Sequence, residues 1–198
     1  MRDYEVEYKI ATDIDYDANE GVVEGVLMKY GSFAVHTFGG ERFQERVEAG
    51  AFGPDVEKRK DISANMMHDS PRLLARTGTK RLSITDGNEK LTFRMTLPDT
   101  PTGQEVKTLL ADGTLDGASV EIAVIDDSYD RETKTRTIRE AKLLGFGLVD
   151  VPAFKESRIT KRRFEDLANE AKAAGAAERS EAADVTQARL RLASTYGD

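Results

Sequence analysis

Apolar and polar positions alternate through most of the first 150 residues of this chain and lose that rhythm beyond about residue 160. Residues 6–10 and 22–30 carry the period-two spacing of strands, joined by an acidic turn. Residues 33–51 show no clean period. Gly39-Gly40 interrupts them, and Phe43 and Val47 predict a short helical stretch. Ile62, Ala64 and Met66 then alternate as in a half-buried strand. Residues 81–85 and 90–97 flank Asp86-Gly87-Asn88 and read as a hairpin. A helix follows: Thr102-Gly103-Gln104-Glu105 has capping-box spacing, Val106, Leu109 and Leu110 form one stripe, and Gly113 ends it. In the next strand Ala118, Val120, Ile122 and Val124 alternate with Ser119 and Glu121. That places the apolar set in the core and Ser119 on the opposite surface. A charged turn over 126–134, a strand over 135–138 and an apolar run over 143–151, closed by Pro152, complete the pattern. The expected core is mostly β, with one or two helices.

The segment opened by Lys161-Arg162-Arg163 is rich in Ala, Glu, Lys and Arg. Phe164, Leu167 and Ala171 form one helical stripe and Val185, Ala188 and Leu192 another, both too thin for an independent fold. The pattern therefore predicts a domain over 1–159 and a charged, helical or disordered extension over 160–198.

Charge and composition remove several classes of function. The net charge of -7 gives no general attraction to nucleic acid or to anionic membrane. Three basic residues at 161–163 are better read as a solvated helix start than as a nucleic-acid contact. The absence of cysteine rules out a disulfide framework, a thiolate metal site and a cysteine nucleophile. No apolar run approaches the roughly 20 residues of a membrane span. Met1-Arg2-Asp3-Tyr4-Glu5 does not open a signal peptide, so a cytoplasmic location is expected. Asp13, Asp15, Asp17 and Glu24 have the spacing of a calcium loop, but Ala18 stands where that loop needs glycine, and strands flank it. An acidic hairpin turn is the better reading.

Two residues carry candidate chemistry. A serine becomes a nucleophile only beside a base, and imidazole titrates in the useful range. Ser119 is the candidate nucleophile, and the chain has only two histidines, His36 and His68. Taken singly, Ser119 reads as an ordinary strand serine and His68 as a hydrogen-bonded surface residue. Their order in the chain changes this. Lys29-Tyr30-Gly31, Glu48-Ala49-Gly50-Ala51-Phe52, Met67-His68-Asp69, Leu115-Asp116-Gly117-Ala118-Ser119 and Leu148-Val149-Asp150-Val151-Pro152-Ala153 follow one another. This succession resembles the prohead (capsid-maturation) serine proteases of tailed bacteriophages, which are similar in fold to the herpesvirus assemblins.

The resemblance implies an α+β, mostly β fold with an antiparallel, barrel-like core and a few helices. It places the histidine base on His68 and the nucleophile on Ser119. The family's usual glutamate, just before the Leu-Val-x-x-Pro-Ala segment, falls on Gly145, so the orienting role passes to another acid or is dispensed with. Asp150, in the equivalent strand, is the first choice and Glu140 the second. Asp69 would point away from His68 in an extended strand, and His36 is taken as structural. Backbone amides and Arg139 are candidate oxyanion donors. The implied activity is a serine endopeptidase that needs no cofactor or metal. Its implied substrates are scaffold and major capsid proteins inside the immature capsid in the bacterial host, with self-cleavage; oligomer formation is left open. The alternative is a non-catalytic capsid-assembly or scaffold-binding module in which the Ser/His pair is inert.

Overall fold

A computed structural model of the chain describes residues 6–11, 14–38 and 41–150. The expected extension over 160–198, its basic cluster and the domain boundary at 159 lie outside these residues. Eleven strands and one α-helix form the described part: β1 (Val6–Ala11), β2 (Ile14–Asp17), β3 (Val22–Lys29), β4 (Ala34–Phe38), β5 (Glu41–Val47), β6 (Ser63–Met66), β7 (Asp69–Arg76), β8 (Leu82–Asp86), β9 (Lys90–Thr96), α1 (Pro101–Ala111), β10 (Gly117–Asp130) and β11 (Thr135–Val149).

The long β10–β11 hairpin is the spine of a seven-stranded sheet ordered β1-β10-β11-β5-β4. β5 and β6 share the far edge of β11: β5 runs parallel to residues 135–138 and β6 parallel to residues 145–148, with β7 antiparallel to β6. A second, antiparallel sheet has the order β2-β3-β9-β8. The core lies between the two sheets, where the Phe93 and Phe146 rings meet at 4.5 Å. The fold is mostly β as expected. It is not a closed barrel, however, and two of its pairings are parallel.

Local expectations fared unevenly. The β8–β9 hairpin and β3 form where the alternation placed them. Residues 33–51 contain the β4–β5 hairpin rather than a helical stretch: Phe43, Glu45 and Val47 all point inward, and the buried Glu45 disguised the period. The expected strand at 135–138 and the apolar run from 143 belong to one strand, which ends at Val149, because bulges opposite residues 121–127 shift the alternation between them. Helix α1 is capped by Thr100, whose hydroxyl accepts from the Gly103 amide at 3.2 Å, and Pro101 takes the first turn in place of a box at Thr102. Gly103 is required there, since a side chain would strike the Pro98 carbonyl. Asp15 and Glu24 are cross-strand partners, and Asp17 accepts from the amides of Asn19 and Glu20, tying the β2–β3 turn. Asp15, Asp17 and Glu24 therefore belong to the β2–β3 hairpin, while Asp13 lies outside the described residues.

Candidate active site

The site stands on the face of the β10–β11 hairpin opposite the core. Ala118, Val120 and Ile122 enter the core while Ser119 and Glu121 project the other way. The registers Ser119↔Gly147 and Glu121↔Gly145 set two glycines beside these two polar residues. Next along the sheet come Asn65, in register with Gly147, and Ser63, in register with Gly145. One row thus reads Ser119–Gly147–Asn65 across three strands.

Gly147 makes room for a histidine. β6 and β7 are joined by the two-residue turn Met67-His68, with Met66 paired to Asp69. Both turn residues have positive φ (54° and 57°), the pattern of a type I′ hairpin turn made without glycine. Each left-handed residue costs about 1–2 kcal/mol. The Met67 amide anchors the turn to the Leu148 carbonyl at 2.9 Å. This turn folds His68 back over β11: a methyl group on Gly147 would lie 2.9 Å from the His68 backbone nitrogen and 3.2 Å from ring atoms Cγ and Cε1. Cross-strand Cβ positions lie about 5 Å apart. The imidazole therefore sits one strand from Ser119, and the 2.5 Å contact of its Nδ1 with Glu121 Oε1 fixes its azimuth. Ser119 is only 5% exposed, so it faces away from the core, as expected, without standing free on the surface.

Asp150 is exposed, one residue past the end of β11, and Glu140 is exposed on the middle of that strand, in register with Asp126. The carboxylate at the imidazole belongs to Glu121, which the alternation had placed beside Ser119 but nothing in the chain had tied to His68, 53 residues away. Asp69 opens β7 and is exposed. Arg139 is paired to Asp126 at 2.7 Å on the exposed part of the hairpin, roughly 25 Å along β11 from Gly147. It does not belong to the site. The amides of β10 around Ser119 are committed to ladders with β1 and β11. His36 is buried, stacked on Phe43 and 3.6 Å from Glu45, in keeping with a structural role.

A histidine paired to a carboxylate, over the glycine in register with a serine, puts the residue types used in acyl transfer on one face of the sheet. The chain matches the caudovirus prohead serine protease family over residues 7–170 and belongs to it. That match extends past residue 159, into the expected extension. It is a serine peptidase of the capsid-maturation type. No curated protein and no solved structure gives a significant match. Among the described residues, no helix is long and apolar enough to cross a membrane.

Proposed function

We propose that Ser119 is the nucleophile, His68 the general base and Glu121, in place of Asp150, the residue that orients the imidazole. The observation that carries this reading is the 2.5 Å contact of His68 Nδ1 with Glu121 while the ring covers the glycine beside Ser119. The position at which the resemblance expects a glutamate is Gly145, and the residue directly opposite it in register is Glu121. A carboxylate lost from one strand is supplied by its neighbour, on the same face.

In this mechanism His68 takes the Ser119 proton as the hydroxyl oxygen attacks a peptide carbonyl, then returns it to the leaving amine. Glu121 holds the proton on Nδ1 and balances the imidazolium as it forms. Water, deprotonated by the same imidazole, releases the acyl group. The chemistry uses no cofactor or metal. Met67 and Leu73, 45% and 51% exposed, flank this row on the turn and on β7 and offer apolar contacts to an extended peptide. Substrates are the scaffold and capsid proteins of the immature particle in the host cell, with self-cleavage.

The test is co-expression with the cognate coat and scaffold proteins, read by intact mass. Ser119→Ala should abolish processing, a loss of several orders of magnitude. Glu121→Gln should slow it by ~10²–10⁴-fold while Asp150→Asn leaves it nearly unchanged. The reverse order for the two acids would return the orienting role to Asp150. Undiminished processing by Ser119→Ala would sink the assignment of Ser119 as nucleophile.

A further inference from the structure

Asn65 is a buried polar residue for which the three-residue mechanism has no use. It is 5% exposed, and its carboxamide oxygen is enclosed without a hydrogen-bond partner. A buried acceptor left unsatisfied costs about 1–3 kcal/mol, and Asn could be replaced in a strand by many residues that carry no such penalty. Its neighbours on β6 explain nothing, since Ala64 and Met66 point into the core, away from it. Its register does. Asn65 lies one strand beyond Gly147 on the side away from Ser119, and Gly147 is the floor on which the imidazole rests. The ring is therefore bracketed, with Ser119 on one side and Asn65 on the other, each about one strand spacing away.

We propose that Asn65 is a positioning residue for the acyl-transfer step: its enclosed carbonyl dipole backs the imidazole of His68 and stabilises it as imidazolium when it holds the serine proton. The inference rests on the assignment of His68 as base. Enclosure keeps the carboxamide from the peptide itself, so it acts through the histidine. The oxygen's missing partner is then a positive charge that exists only part-way through the reaction. Among the described residues, Glu121 of β10 contacts the ring, and β7, which continues from the turn, carries Asp69, Arg72 and Arg76, with Arg72 tied to Glu105 of α1. β6 supplies no charged group, and neither does the stretch of β11 from Gly145 to Val149.

The experiment is an imidazole NMR titration of the full chain in a Ser119→Ala background, which removes self-cleavage. With two histidines in the sequence, the buried His36 serves as internal reference. Asn65→Leu should weaken the proton affinity of His68 about tenfold, as expected for a lost contact to a charged group. Asn65→Asp, nearly isosteric, should strengthen it and keeps the test alive where Asn65→Leu does not fold. With Ser119 restored, the acid limb of the rate of labelling by a fluorophosphonate should move to lower pH in Asn65→Leu and to higher pH in Asn65→Asp. An unmoved His68 titration in the folded Asn65 variants, with Glu121→Gln moving it as expected, overturns the role of Asn65 alone. If Glu121→Gln also leaves it unmoved, the assignment of the site itself fails.

Discussion

The two faces of the β10–β11 hairpin both bury charged and polar groups, and they treat them in opposite ways. On the core face at the far end, Arg136 is completely enclosed. Its guanidinium bonds both Glu7 oxygens at 2.8 and 2.9 Å, Glu45 at 2.8 Å and Asp127 at 2.6 Å. Lys9 adds bonds to Glu7 and Glu45. On the opposite face at the near end, His68 and Glu121 remain about one-fifth exposed, the histidine stands on a left-handed turn, and Asn65 keeps an oxygen unpartnered. A saturated network rigidifies; a strained, incompletely paired one leaves capacity for chemistry. The difference separates what the hairpin needs to fold from what it needs to react.

The largest effect that would break this comparison is at the far end. Arg136→Ala leaves Glu7, Glu45 and Asp127 facing one another without their shared guanidinium, with Lys9 between Glu7 and Glu45. Removing one member of a buried charge network costs about 3–5 kcal/mol. Chemical denaturation should show that loss, while the activity of the molecules that remain folded stays the same. Gly147→Ala is the mirror case. The added methyl must push His68 away, and a displacement near 1 Å costs about 10²-fold in rate. Turnover should fall by that factor or more with a much smaller change in melting temperature.

Acid should act on the far end first. Burial opposes ionisation of Glu7 and Glu45, but their cationic partners outweigh it and hold both carboxyls below the ordinary 4.5. A depressed folded value means stability that is fully present above the unfolded value and is lost as pH falls through the folded one. Stability should therefore be level above about pH 5 and decline steadily below pH 4.5. In Glu45→Gln that decline should be shallower; an unchanged slope would remove Glu45 from the acid response. Smaller still, Leu73→Asp should raise KM several-fold with kcat nearly unchanged, because Leu73 lies beside the reacting groups rather than among them. Equal falls in kcat would place it in the chemistry. The smallest effect is expected of Met67→Gly. Glycine removes a left-handed cost of about 1 kcal/mol, so thermal stability should rise slightly as the looser turn slows turnover.

These contrasts also explain what could be read from the chain. β8, β9 and α1 obey local rules, with an Asp-Gly turn between strands and a threonine cap before a proline, and were legible to within a few residues. β4–β5 was hidden because its inward face carries Glu45 between Phe43 and Val47, a charge made tolerable by Lys9 and Arg136, 36 and 91 residues away. β7 was missed because a left-handed turn at Met67-His68 contains none of the residues that advertise one. The same turn invalidates any argument that assumed His68 extended. Ser119 and His68 were nominated through the order of short motifs. Glu121 was visible as a neighbour of Ser119, yet its contact with His68 depends on a register between β10, β11 and β6 that no local pattern encodes.

The central claim is that Ser119 is activated by His68 through contact across Gly147. Labelling of the intact chain with a fluorophosphonate, followed by peptide mapping, tests it most directly. The account predicts a single adduct on Ser119 that is lost in His68→Ala and strongly slowed in Glu121→Gln. Labelling of Ser119 at an undiminished rate in His68→Ala, or an adduct on another serine, would contradict it.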